Sequence, residues 1–179
     1  MSYTYWKWDK AIPQEYCKAI LKNIDWEKAE TGKIKQKTTK AQLAKKRKTD
    51  IVWEDPLSVI GCIADKYIRS ANIFAGWNFD LTQIENIQIG KYYHGGFYNW
   101  HIDCPAQDEN PRKLSFSMLL NDPFEFEGGK LEFKNLKEQP KMEQGSIIVF
   151  PSFCTHRVTP VTAGERYSAV TWMRGANFK

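Results

Sequence analysis

Apolar positions follow two different rhythms along the chain. Up to about residue 80 they recur at helical spacing. In "IPQEYCKAILKNID" a proline, Pro13, stands near the start, and Cys17, Ile20, Leu21 and Ile24 then fall on one helical face. In "DPLSVIGCIADKYIRSANIF" Asp55 is placed to cap a helix and Pro56 to open it. Leu57, Ile60, Ala64, Tyr67, Ile68 and Ala71 would then line its buried side. A short strand, "DIVW", precedes that helix. From about residue 81 the rhythm shortens. "IENIQIGKYY", "FYNWHI", "KLSFSMLL", "KLEF", "GSIIVF", "THRVTPV" and "RYSAVTWM" are β-rich runs, parted by turn signals such as "HGG", "DPFEFEGG" and "TAGE". Many short strands with Gly and Pro turns predict a sandwich or barrel, with the two helices covering one sheet. The expected fold class is α+β, mainly β.

The length of 179 residues suits one domain, and no internal repeat or linker interrupts it. The expected organisation is a single domain over 1–179. Residues 1–80 would form a helical support region, and 81–179 the β core. No apolar run is long enough to span a bilayer. The N-terminus has no basic region followed by an apolar one, so no signal peptide is expected. Cysteines 17, 62, 104 and 154 form no CxxC pair, which favours a reduced, cytoplasmic protein.

Charge changes this picture at one place. The net charge is +5, but "TGKIKQKTTKAQLAKKRKTD" (31–50) holds eight Lys or Arg and one acid, and the rest of the chain sums to −2. One segment is basic, then, and the fold as a whole is not. It is either a solvated loop or a mobile flap that meets an acidic or phosphate-bearing partner.

Chemistry concentrates elsewhere. Two of only three histidines lie in "YYHGGFYNWHIDCP", beside a carboxylate, and the third, His156, follows in "FPSFCTHRVTP". On a strand, residues two apart share a face, so His101 and Asp103 would project together. A distant His156 on a second strand completes two histidines and one carboxylate around a metal. That donor set suits the facial triad of non-haem Fe(II) oxygenases, which leaves positions open for a co-substrate and dioxygen. Arg166 lies ten residues beyond His156. Its planar guanidinium matches the far carboxylate of a bidentate keto acid. Ser168, two residues on, would face the same cavity.

At this point the chain resembles a known family. Tyr92-x-x-Gly95-x-x-Tyr98-x-x-His101-x-Asp103, then "KLSFSMLLND", "FEGGKLEF" and "GSIIVFPSFCTHRVTPVTAGERYSAVTWM", resemble the prolyl 4-hydroxylase-like branch of the Fe(II)/2-oxoglutarate dioxygenases, its PKHD-type hydroxylases above all. The resemblance covers roughly residues 84–174. It implies a double-stranded β-helix, or jelly-roll, with Fe(II) and 2-oxoglutarate at its mouth. The family's metal ligands fall on His101, Asp103 and His156, and its basic 2-oxoglutarate residue falls on Arg166. Tyr92 matches a tyrosine whose hydroxyl reaches the co-substrate. Trp172 matches an aromatic packed beside the cofactor. Also implied are O2 as co-substrate, ascorbate as reductant, and hydroxylation of an unactivated C–H bond, with peptidyl proline as the leading substrate. Arg47 in the basic segment, His94 in the "YHGGF" turn and Trp172 are the candidate substrate contacts.

Two departures qualify that reading. Collagen-type enzymes often carry Lys where this chain has Arg166. A tyrosine that some relatives carry on the "SFSMLL" strand is replaced here by Leu119, so Ser168, Ser115 or Ser117 would take over anchoring. Other readings stay open: hydroxylation of a free amino acid or small metabolite, or a jelly-roll that binds metal without catalysis. A zinc site of His101, Cys104, Cys154 and His156 would leave Asp103 and Arg166 without roles. Asp103 stands where halogenases have a small residue. The chain lacks the Arg-rich ending of nucleic-acid demethylases, so nucleic acid is not the expected partner. A peptide, a protein or a small molecule is.

Overall fold

The computed structural model describes residues 3–31, 46–104 and 110–177. The expected basic flap falls largely on 32–45, outside the described residues. Among the described residues, α1 spans Gln14–Lys22 and α2 spans Val59–Phe74. Pro13 stands at the N-terminal end of α1, where a backbone N–H would lack an intrahelical partner in any case. Cys17 is fully buried there, with Ile20 and Leu21 packed beside it.

The second helix starts three residues later than the Asp-Pro signal predicts. Ser58 is its cap, and the Ser58 hydroxyl accepts a hydrogen bond from the Gly61 N–H. The Asp55 carboxylate instead accepts from the Leu57 N–H at 2.7 Å, closing a turn that leaves Leu57 87% exposed. Glycine at 61 makes that turn possible, because a Cβ there would lie 2.0 Å from the Pro56 carbonyl oxygen. The remaining expected face holds, with Ile60, Ala64, Ile68 and Ala71 all buried.

The strands are β1 (Trp6–Trp8), β2 (Glu30–Thr31), β3 (Arg47–Lys48), β4 (Asp50–Glu54), β5 (Leu81–Ile84), β6 (Ile87–Tyr92), β7 (Phe97–His101), β8 (Arg112–Leu119), β9 (Phe126–Gly128), β10 (Leu131–Phe133), β11 (Ile147–Pro151), β12 (His156–Val158), β13 (Val161–Gly164) and β14 (Arg166–Gly175). A large sheet runs β1-β11-β8-β14-β6-β4-β2, with β5 also paired to β14. A small sheet runs β10-β12-β7-β3, and β9 pairs with β13. All pairings are antiparallel. This is a mainly β fold with a jelly-roll core.

The boundary expected at residue 80 does not divide the sheets. β1, β2 and β4 extend the large sheet and β3 extends the small one, so the first 80 residues supply strands as well as helices. Ile60, Ala64 and Ile68 of α2 share one apolar cluster with Ile87, Ile89, Leu114, Met118 and Met173 of the large sheet. A second cluster joins the two sheets through Leu131, Phe133, Ile148 and Phe150. Among the described residues no helix is long and apolar enough to cross a membrane.

Candidate metal and co-substrate site

The site lies where the small sheet meets the inner face of the large one. His101 ends β7 and His156 begins β12, and the two are paired across that antiparallel ladder. Their rings lie 4.2 Å apart between centroids. Asp103 arrives differently from the strand reading. β7 ends at His101, and the chain then bends so that the Asp103 and Cys104 N–H groups both donate to the Ser152 carbonyl. A loop tethered to the residue after β11, rather than strand alternation, thus brings the carboxylate over the two imidazoles.

Within this cluster, His101 Nε2 is 3.6 Å and His156 Nε2 is 3.5 Å from the Asp103 carboxylate oxygens. The three offer ligand atoms all within 4.8 Å of one another. Each imidazole is turned by its far nitrogen. His101 Nδ1 is 2.7 Å from the Asn99 carbonyl, and His156 Nδ1 is 2.9 Å from the Cys154 carbonyl. A carbonyl only accepts, so Nδ1 carries the proton and the Nε2 lone pair faces the shared space. Tyr98 stacks on His101 at 3.5 Å, and Phe150 meets His156 edge-on at 4.7 Å.

Electrostatics favour metal-ready forms. Burial, and then the neighbouring His156, push His101 down to about 4, so it is neutral at pH 7. Burial opposes charge on Asp103. His156, His101, the Trp172 indole and Ser115 outweigh it and hold the carboxyl below its ordinary value. Ser115 Oγ donates to Asp103 Oδ2 at 2.8 Å and lies 2.9 Å from Ser152 Oγ. Because the Ser115 proton is committed to the carboxylate, Ser152 donates to Ser115. Trp172 Nε1 is buried and completes no hydrogen bond among the described residues, though the indole lies near Asp103. The Arg112 guanidinium covers the Trp172 ring at 3.7 Å and is itself fixed by Glu85 at 2.8 Å.

Arg166 opens β14 opposite Tyr92 on β6. It is 3% exposed, and its Nη1 donates to Ser168 Oγ at 3.0 Å. The Tyr92 ring lies 5.3 Å from the guanidinium carbon. No carboxylate partners Arg166 among the described residues, and burial pulls its pKa down from the usual arginine range. Tyr92, Arg166, Ser168 and Trp172 line the same small cavity as His101, Asp103 and His156. A buried guanidinium without a counter-charge, aimed at a cavity with a triad, fits an anionic ligand that bridges the two.

Other expected residues fall elsewhere. His94 is exposed in the turn after β6, its Nδ1 2.8 Å from the Thr162 carbonyl, and does not line this cavity. Ser115 orients Asp103 and therefore does not take the anchoring role considered for it. Cys104 and Cys154 stand outside the three-residue group that could hold a metal. Arg47 is 4% exposed on β3, stacks over Tyr98 at 4.6 Å and donates to Gln88 Oε1 at 3.2 Å. Gln88 and Ser152 carry no sequence signal. They matter only through partners far away in the chain.

Comparisons with known proteins bear on this geometry. Residues 87–174 match the sequence model of the 2OG-Fe(II) oxygenase superfamily, a stretch from β6 through nearly all of β14. A PKHD-type hydroxylase of Synechococcus sp. (strain CC9605) is 27% identical over 159 residues, covering 84% of this chain and 67% of that protein. A PKHD-type hydroxylase of Prochlorococcus marinus is 32% identical over 135 residues, covering 74% of this chain and 58% of that protein. The chain thus spans between about half and two thirds of the length of these relatives. A viral collagen prolyl hydroxylase from Paramecium Bursaria Chlorella virus-1, solved with 2-oxoglutarate, superposes with a TM-score of 0.74 at 21% identity, covering 97% of each chain. The stretch that builds the cavity face and carries the triad is thus the one in which this chain is similar to the 2OG-Fe(II) oxygenase superfamily and to its PKHD-type hydroxylases.

Proposed function

We propose that this protein is an Fe(II)- and 2-oxoglutarate-dependent hydroxylase that acts on proline in a peptide or protein. The observation that carries this reading is the pairing of a His-Asp-His group with a buried Arg166 that has no counter-charge among the described residues, around one cavity. The donor set fits Fe(II): two imidazole nitrogens and one carboxylate oxygen, with positions left over. His101, Asp103 and His156 would hold the metal. Arg166 would bind the distal carboxylate of 2-oxoglutarate, with Ser168 and the Tyr92 hydroxyl beside it. Bound there, Fe(II) with 2-oxoglutarate and O2 supplies the oxidant that converts a C–H bond to C–OH, releasing succinate and carbon dioxide.

The residues of this chain do the positioning. Ser115 and Ser152 hold the Asp103 carboxylate, while Tyr98 and Phe150 wall the imidazoles and keep water away. Arg47 is the proposed substrate contact. Its Nε and Nη2 groups are buried without hydrogen-bond partners among the described residues, and its guanidinium lies over the ring of Tyr98, which stacks on His101. Peptide carbonyls are suitable acceptors for such groups. Support for a peptide substrate comes from the viral relative, which is named for collagen.

The test is anaerobic titration of the purified protein with Fe(II) and then 2-oxoglutarate, followed by turnover on proline-containing peptides read by mass and succinate release. The visible absorbance of the chelated keto acid should appear in the wild type and vanish, with all turnover, in Asp103→Ala. Normal hydroxylation by that variant would sink the triad assignment.

A further inference from the structure

The cavity at the triad is small, about 40 Å³. A second cavity of about 470 Å³ adjoins it. Leu131 and Arg166 line both, so these two side chains form the wall between them. The larger cavity is further lined by Lys130, Lys141 and Met142, and no Asp or Glu is among its described lining residues. Both lysines are exposed. The wall is built to let Arg166 lie close. Gly129 has φ +56°, and a Cβ there would come within 2.8 Å of Arg166 Cδ.

A cleft lined by one sign of charge draws in ions of the other sign and raises their association rate. We propose that the larger cavity is the exchange path of the dicarboxylate. 2-Oxoglutarate enters, and succinate leaves, past Lys141 and Lys130. The Arg166 guanidinium then hands the carboxylate through as it and Leu131 shift. The inference rests on the proposed function, because it takes Arg166 as the distal-carboxylate ligand. It adds that the co-substrate travels by a route other than the substrate's, so exchange can proceed with a peptide in place over the metal.

The experiment is stopped-flow binding of 2-oxoglutarate to the anaerobic Fe(II) protein, read by the absorbance of the chelate. With Lys130→Glu and Lys141→Glu together, the association rate should fall by about tenfold or more, and its dependence on salt should flatten. Met142→Trp fills the path and should slow association and dissociation by the same factor, leaving Kd unaltered. Met142→Leu should match the wild type. Affinity is a difference between end states, so only a route variant changes both rates without changing Kd. Circular dichroism verifies that each variant is folded. If Met142→Trp does not fold, the exposed lysine pair carries the test. Wild-type rates in the lysine variant overturn the path. If the wild type binds 2-oxoglutarate and Arg166→Ala weakens it while the path variants bind at wild-type rates, the path alone fails. No chelate at saturating 2-oxoglutarate in the wild type overturns the function and the path together.

Discussion

The two faces of the large sheet are made by the same strands and are buried to a similar degree, yet their chemistry is opposite. On β8, Leu114 and Met118 turn toward α2, while Ser115 and Ser117 turn toward the small sheet. On β14, Ala169 and Met173 join the helix-covered cluster, while Arg166, Ser168, Val170 and Trp172 line the metal cavity. β6 repeats this, with Ile87 and Ile89 on one side and Gln88 and Tyr92 on the other. On the helix face, burying a large apolar side chain stabilises the fold by roughly 1.5–3 kcal/mol. On the cavity face, burying a guanidinium and a carboxylate opposes folding unless partners answer them. The period of two along a strand therefore keeps stability and binding on separate surfaces. Their adjacency makes register strict, since a slip of one residue would exchange the faces.

The sharpest way to break this contrast is to cross one deletion on each face. Arg166→Ala should weaken 2-oxoglutarate binding by about 2–5 kcal/mol, because a desolvated charge pair is lost. Its thermal midpoint without co-substrate should stay level or rise, because an unpaired guanidinium no longer has to be buried. Met118→Ala should do the reverse. Met118 is 0% exposed, and its truncation should cost about 2–5 kcal/mol of folding stability while the folded protein binds 2-oxoglutarate normally. Calorimetric titration and denaturant unfolding of both variants decide the matter. If Arg166→Ala unfolds as readily as Met118→Ala, the faces are not separate in function.

A smaller effect is expected at Ser115, which lies on the cavity face but touches the carboxylate and not the co-substrate. Ser115→Ala removes the 2.8 Å hydrogen bond to Asp103. Loss of such an orienting partner typically weakens metal binding by about 10- to 100-fold. Competition with a metal chelator would measure it. 2-Oxoglutarate affinity at saturating Fe(II) should scarcely change, and a large change there would return Ser115 to co-substrate anchoring.

Much of this is legible in the sequence because the signals are local. Strand runs and the apolar faces of both helices follow from periods of 2 and 3.6 and carry over into the structure, whereas "DPFEFEGG" and "TAGE", read as turns, hold the paired strands β9 and β13, whose ladder joins residues far apart in the chain. The start of α2 departs from its sequence signal because Asp-Pro marks a turn as strongly as it marks a cap. Ser58 three residues on offers a hydroxyl to the Gly61 N–H, while Asp55 closes its own turn. His101 and Asp103 do meet at one site, although the ladder that aligns one of them stops short of the other. The roles of Ser152 and Gln88, and the burial of Arg47, depend on contacts between residues far apart in the chain. No local pattern marks such contacts. The cavity behind Arg166 is likewise a property of packing, built from side chains of several segments that no motif links.

The smallest expected effect concerns Ser168, and it sharpens the cavity face further. Ser168 Oγ accepts from Arg166 Nη1, so its own proton is left to donate into the cavity. Ser168→Ala would remove both a positioning contact for the guanidinium and a donor to the distal carboxylate. Hydrogen bonds of this kind contribute about 1 kcal/mol net, which is roughly fivefold in 2-oxoglutarate affinity. A double-mutant cycle with Arg166→Ala separates the two parts. Direct donation predicts that a measurable loss persists in the Arg166→Ala background. If Ser168→Ala is silent there, Ser168 acts only by holding Arg166, and the guanidinium is the sole anchor that β14 offers the co-substrate.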